Sequence, residues 1–425
     1  MRISYQTTRI QYFLDLIIEH CILAVAFFLP LSIDATTVFL MAGVGAWLSK
    51  MLISRNFALK RSPFDIFIAV FIVISAASIL VSPDRDFSFY NYYHLMGRYI
   101  FIYYLVINNI HSVEQIKRLV WAVLASAGVV TLYGFYQYFH GVDISAFQWV
   151  DGEQFPDLKV RVFSTLKNPN LLAGFLVMIM ALACGLGCKA QKMRSRLLFL
   201  GLFILFGVCL GLTYSRGAWI SVAFVIGLYG VLYNKRILWL LLLVPIALFL
   251  VHDGFTERLL SIFNPTDTSS TLRIALWEST IAMITDKPLL GIGWGAYWLV
   301  YPEYDFFIQD TSTTIFHAHN MYLNIAAEIG IPGLIVFLVI MIGHIRTALT
   351  AIYEVRERWL VGLLLGLSSA LLGIAINGFT DFIMFNIQMS MLFWLFNAMI
   401  IVVWQYCCQV QSGVTFTKKI EIRQE

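Results

Sequence analysis

The sequence predicts an all-α fold: a polytopic integral membrane protein of about 12 transmembrane helices, with one large extracytoplasmic loop between the ninth and tenth. Three observations predict it. Hydrophobic residues fill 60% of the 425 positions, charged residues 13%, and mean hydropathy is +0.78, so the charges could not cover a water-facing surface. Apolar runs near the ~20 residues that cross a bilayer recur along the whole chain. Lys and Arg gather in alternate loops, as the positive-inside rule requires of a membrane protein. Residues 1–425 are therefore expected to form a single membrane domain.

Taken in order, spans are expected at residues 14–32, 34–53, 64–82, 96–110, 119–139, 169–187, 197–214, 217–233, 237–252, 320–344, 359–380 and 386–406. The first two are divided only by residues 30–34 and the fourth is short, which makes the expected count 11 or 12. With the N-terminus inside, 20 Lys and Arg residues fall on the cytoplasmic side. The other nine are Arg85, Arg98, Lys159, Arg161, Lys167, Arg216, Arg258, Arg273 and Lys287, spread over longer loops. Both termini are thus expected in the cytoplasm, with residues 411–425 as a tail. The formal charge of +4 reflects loop anchoring and implies no nucleic acid partner.

Asp15 and Glu19 interrupt what would be a signal-peptide core, so the first segment is expected to be retained. The six cysteines lie in or beside spans and make no disulfide framework. Cys184 and Cys188, one helical turn apart, read as small core residues rather than metal ligands.

Two external loops stand out by length. Residues 141–168 contain RVFSTLKNPN, with Arg161 and Lys167 near the start of the sixth span. Residues 253–318 form a loop of 66 residues, far beyond an ordinary connection. Within it, residues 269–285 read as an interfacial helix on which Arg273 and Trp277 share a face. In the following DKPLLGIGWGAYW, Pro288 ends that helix and Gly291, Gly293 and Gly295 allow tight turns. GIGWG is not read as a nucleotide loop, because it follows a helix instead of a strand. YSRGAW, residues 214–219, sets Arg216 at the external junction of the seventh and eighth spans, where an arginine either anchors the interface or serves a site.

The chain's most informative stretch is residues 317–333, HAHNMYLNIAAEIGIPG, where a polar approach turns into a helix able to enter a membrane. His319 and Asn320 stand at its mouth, Glu328 lies roughly 14 Å below, and Pro332 between Gly330 and Gly333 is expected to bend the helix.

Under this topology Arg161, Arg216, Arg273 and His319 converge on the external side. Guanidinium groups at a lipid surface suit a diphosphate, which they grip with paired hydrogen bonds. A histidine suits removal of a proton from a hydroxyl nucleophile. Together they describe a glycosyl-transfer site for a lipid-diphosphate sugar donor.

His319-Asn320, nine residues, then Gly330-Ile331-Pro332-Gly333 resembles the signature of the O-antigen ligase and O-antigen polymerase superfamily. RVFSTLKNPNLLAG, YSRGAW, LRIALW around Arg273 and KPLLGIGWGAY also resemble that family's segments, in the same chain order. The resemblance implies an inverting, metal-independent transferase without a cofactor, in the cytoplasmic membrane with its site outside. It would move a glycan from undecaprenyl diphosphate to a glycan or lipid acceptor hydroxyl. It implies His319 as base and Arg216 and Arg273 as diphosphate ligands that stabilise the departing charge. Arg161, Lys167, Asn170 and Asn320 would support the substrate, and Trp294, Tyr297 and Trp298 could stack on sugar rings or serve as interface aromatics. The motif favours a ligase; a polymerase of lipid-linked repeats, including exopolysaccharide or teichuronic acid, is the alternative.

Other readings carry less. His317 and His319 form HxH, but two positions apart on a helix they would point to opposite sides, which argues against zinc. Asp84-Arg85-Asp86 resembles a DxD metal motif but lies in an external loop, away from nucleotide sugars. Glu328 could tune a neighbour's charge or pair with another helix. A transporter remains an alternative, opposed by the lack of matching halves and by the few intramembrane charges beyond Glu328 and Asp381.

Overall fold

The computed structural model describes residues 2–141, 161–242, 246, 268–306 and 314–411. Among them the regular structure is all helical, with no strand. The helices in chain order are α1 (Arg2–Phe28), α2 (Ile33–Ser54), α3 (Asp65–Ser78), α4 (Arg85–Asn109), α5 (Val113–His140), α6 (Pro169–Lys189), α7 (Met193–Gly211), α8 (Arg216–Leu232), α9 (Thr268–Asp286), α10 (Tyr297–Val300), α11 (Met321–Glu354), α12 (Arg358–Asn377) and α13 (Ile387–Gln411). Eight of these are long and apolar enough to cross a membrane, and Asp65–Val81 and Arg216–Val231 are shorter apolar helices. Most of the expected ninth span, residues 253–267 and 307–313 of the large loop, residues 142–160, and residues 412–425 of the expected tail lie outside the described residues.

Sequence-local signals set the helix ends. Ser32 caps α2 by accepting from the Ala35 N–H, so the chain turns where the break between the first two spans is expected. Ser112 and Gln115 form a reciprocal capping box at α5. Asp84 accepts from the Phe87 N–H at 2.9 Å and starts α4 there, eleven residues before the expected span at 96. The aspartates of DRD are thus a helix start, and the polar, aromatic first half of α4 is helical despite its low hydropathy.

The centre of the bundle is α6, α12 and α13. Burial covers 89% of the most apolar stretch of α6, against 28% for α1 and α2, which face outward. Glycine makes the central contact possible: a Cβ on Gly185 would fall 2.4 Å from the Gly366 nitrogen and 2.5 Å from the Gly362 oxygen.

One helix is broken, and its repair fixes the site. The bend expected at Pro332 occurs earlier, at Ile329 (φ −125°, ψ 15°) and Gly330 (φ 76°, ψ 171°). The reason is local. Pro332 has no N–H to give the Glu328 carbonyl, and the Ile331 N–H turns away to Pro288 O at 2.8 Å. The two orphaned carbonyls are taken by the glycine-rich loop: Ile292 N–H donates to Ala327 O at 2.8 Å and Gly293 N–H to Glu328 O at 3.1 Å. A Cβ on Gly330 would lie 2.2 Å from Leu289 O, so the loop seats only against glycine. A small apolar core of Leu276, Met283, Ile292, Tyr297, Tyr301 and Ala327 then fastens α9 and α10 to α11.

Gly330→Ala is expected to destabilise the protein by about 1–3 kcal/mol, because its backbone conformation suits glycine and its neighbour is backbone. A thermal unfolding midpoint in detergent checks this, with Gly45→Ala, which meets nothing within 4 Å, as the unaffected control. Equal midpoints for the two variants would contradict the seating of the loop.

Candidate functional site

The site forms where the mouth of α11 meets the turn after α12. Asn320 caps α11, its Oδ1 accepting from Tyr322 N–H at 3.0 Å and Leu323 N–H at 3.1 Å. Its Nδ2 donates to Phe379 O at 3.2 Å, Met321 N–H donates to Gly378 O at 2.7 Å, and Tyr322 Oη donates to Ala375 O at 2.5 Å. These bonds staple the two helices at one end of the bundle. Asn320 is 7% exposed, so its role here is to position its neighbours.

The staple brings His319 to Asp381. His319 Nδ1 lies 3.2 Å from Asp381 Oδ1, and Phe382 N–H also donates to that oxygen at 2.8 Å. Burial alone would raise the Asp381 pKa. The hydrogen bond from His319, the largest opposing cause, together with nearby positive charge that includes the Arg273 guanidinium, outweighs it and holds the carboxyl below its ordinary range. An ionised Asp381 favours the proton on His319 Nδ1 and leaves Nε2 with a lone pair. His319 has φ 47°, a left-handed conformation rare for a side-chain-bearing residue, and about a third of its side chain is accessible.

Asp381 is the site residue that sequence reading missed, having been counted among intramembrane charges. Its signal was legible: a lone carboxylate between two apolar helices, just past a helix end, needs a partner.

His317 sits beside this pair. Its ring stacks on Phe385 at 4.6 Å and lies 4.3 Å from the His319 ring, and its Nδ1 accepts from the His319 N–H at 3.2 Å. Burial, then the nearby positive charge, pushes its pKa down to about 3 and keeps the ring neutral. The expectation that the two histidines point apart fails because the segment before α11 is not helical. His317, His319 and Asp381 present ligand atoms within 4.8 Å of one another.

The arginines approach from three directions. Arg216 is the first residue of α8, and the next residue fixes its place: a Cβ on Gly217 would lie 2.2 Å from Thr380 Oγ1. Arg216 therefore starts its helix against the turn that carries Asp381. Arg273, half-buried on α9, is near enough for its charge to act on His317 and Asp381. Arg161 braces the approach: its Nε donates to Thr213 O at 3.0 Å and its Nη2 to Asn170 Oδ1 at 3.3 Å, while Val162 N–H donates to Leu212 O at 3.1 Å. These tie residues 161–162 and α6 to the turn just before Arg216. Lys167 is exposed, in a left-handed turn (φ 59°) just before α6.

A cavity of about 390 Å³ opens beside the histidines, walled by Phe382 and Phe385, which pack on His317, by Phe316 with Trp298 against it, and by Trp294 and Glu328. The Gly295 N–H donates to Glu328 Oε2 at 3.1 Å. Tyr297, by contrast, is fully buried, with its hydroxyl 2.8 Å from that of Thr280 and its ring stacked on Tyr301. It belongs to the packing of the loop, and Trp294 and Trp298 hold the wall positions.

Residues 200–338 match the family described as O-antigen ligase. That segment contains Arg216, Arg273, Trp294, His319, Asn320 and Glu328. The chain is also similar to "Exopolysaccharide production protein ExoQ" of Rhizobium meliloti (strain 1021), 29% identical over 102 residues. The match spans 23% of this chain and 23% of that protein, less than a quarter of either.

Asn320→Ala removes the cap and the Phe379 bond together and is expected to cost about 1–2 kcal/mol in thermal stability. Asn320→Asp keeps the capping oxygens and is expected to lose less. Equal losses in the two variants would show that the cap does not hold the mouth of α11.

Proposed function

We propose that this chain, an O-antigen ligase superfamily protein over residues 200–338, transfers a glycan from an undecaprenyl diphosphate carrier to an acceptor hydroxyl on the outer face of the cytoplasmic membrane. The observation that carries the reading is the His319–Asp381 pair facing a rim on which Arg216 and Arg273 approach. Asp381 orients His319, whose Nε2 takes the proton from the acceptor oxygen. The oxygen bonds to the anomeric carbon as the carbon–oxygen bond to the diphosphate breaks, which inverts the centre. The departing lipid diphosphate keeps the electron pair, and Arg216 and Arg273 balance its charge. No step needs a metal. Arg161, Asn170 and Asn320 support this arrangement by holding the turns that carry Arg216 and His319, Lys167 offers charge to the carrier at the rim, and Trp294 with Trp298 suits the faces of sugar rings.

Two acceptors fit this chemistry. A ligase uses a different acceptor, such as a lipid-anchored oligosaccharide; a polymerase uses another lipid-linked repeat. The exopolysaccharide relative is the specific observation favouring the second.

A size-resolved profile of surface and carrier-linked glycans separates them, in cells lacking the protein and complemented with wild type or His319→Ala. Ligation predicts long chains on the carrier and a bare acceptor, corrected only by wild type. Polymerisation predicts single repeats that reach the surface without lengthening. No change in either pool would reject glycosyl transfer and move the reading to transport.

Arg216→Lys is expected to lower turnover even though it keeps the charge, because a single ammonium cannot make the paired grip of a guanidinium. Normal turnover at normal membrane levels would remove Arg216 from the site.

A further inference from the structure

We infer that His317, His319 and Asp381 together form a binding site for a zinc-like transition-metal ion, and that its occupation switches the transferase off. The inhibitory half rests on His319 serving as the base; the metal site itself does not.

The donor set suits such an ion. Two imidazoles and one carboxylate are ligands that zinc takes at about 2.0–2.2 Å, which places neighbouring donors roughly 3.3–3.5 Å apart in a tetrahedral shell. His319 Nδ1 and Asp381 Oδ1 are already 3.2 Å apart, and the three ligand atoms fall within 4.8 Å of one another. Closing the set takes side-chain shifts of the order of an ångström, with water completing the shell.

The donors are also held in place by the fold. They come from two segments that the Met321–Gly378 and Asn320–Phe379 bonds lock together, so the cluster is a product of tertiary structure. Phe385 stacks against the His317 ring and fixes its plane. Ligation through His317 Nδ1 would replace its bond from the His319 N–H, and Arg273 opposes the incoming charge. Both features set the affinity below that of a closed four-ligand structural site.

The consequence follows from which atoms are used. A metal on His319 Nδ1 displaces the Asp381 contact that orients the ring, and takes both site residues into its own coordination. His317 contributes a ligand but takes neither the proton nor the glycan in the proposed reaction, and it meets the base through the His319 backbone N–H and ring packing, so the two roles are separable by mutation.

The test uses full-length protein in lipid nanodiscs, stripped with chelator and titrated with Zn²⁺, reading metal binding by calorimetry and glycosyl transfer in parallel. Wild type is expected to bind about one ion per chain and lose transfer reversibly, with chelator restoring it. His317→Phe keeps the stacking and removes the ligand; its zinc affinity and its sensitivity to inhibition are both expected to fall at least ~10-fold while transfer persists. Asp381→Asn is expected to weaken binding as well. Undiminished binding in both variants would overturn the site. His317-dependent binding without inhibition would overturn the switch. Activity lost in chelator and restored by zinc would overturn the switch and the metal-free reaction together. If no transfer occurs in any condition, the glycosyl-transfer reading fails, and the binding isotherms alone still decide the metal site.

Discussion

Everything near the site depends on how the chain handles two backbone carbonyls inside α11. Pro332 cannot donate to Glu328 O, and the Ile331 N–H is drawn to Pro288, so Ala327 O and Glu328 O would be stranded in an apolar interior. The glycine-rich loop supplies both missing donors from Ile292 and Gly293. That exchange seats the loop in the broken helix, places Trp294 beside the cavity and brings the Gly295 N–H to the Glu328 carboxylate. A sequence feature that would ordinarily weaken a helix thus becomes the attachment point for a long loop. Gly291 and Gly330 are required because each faces carbonyl backbone, where a Cβ would come within about 2.3 Å.

A second junction, at the mouth of α11, orders the residues of the proposed reaction. The N-terminus of α11 and the turn after α12 exchange main-chain and side-chain bonds, and His319 meets Asp381 as a result. The left-handed backbone at His319 is strain of the order of 1–3 kcal/mol that the surrounding bonds must offset. Gly217 lets α8 come against Thr380, so Arg216 shares the same turn. Two segments far apart in sequence, the start of α8 and the mouth of α11, therefore rest on one short connection, residues 378–382.

Much of this was legible before any coordinates. Hydropathy and loop charge gave the helical membrane class, and the expected break at residues 30–34 falls between α1 and α2. Arg216, Arg273 and His319 were selected by chemistry, and the structure sets Arg216 against the Asp381 turn, with Arg273 near enough to act on His317 and Asp381. The failures have physical causes. Hydropathy undercounts helices such as α4 whose first turns are polar and aromatic, so its start at Asp84 was visible only as a cap. Tyr297 and Trp298 look alike in sequence, yet only one is turned to the cavity; the direction depends on how α10 packs on α9. Asp381 could not be paired with His319 from sequence because 62 residues and two helices separate them.

In the proposed reaction Asp381 and His319 act as one unit, with the carboxylate orienting the base. It is tested most directly by steady-state transfer with purified protein and a defined lipid-diphosphate glycan donor, comparing wild type with Asp381→Asn. The amide is nearly the same size but cannot hold Nδ1–H as a charged acceptor. A fall in kcat of roughly 10²-fold is expected, within the range that general-base catalysis contributes, with KM for the donor little changed. An unchanged kcat, or a loss confined to KM, would contradict it.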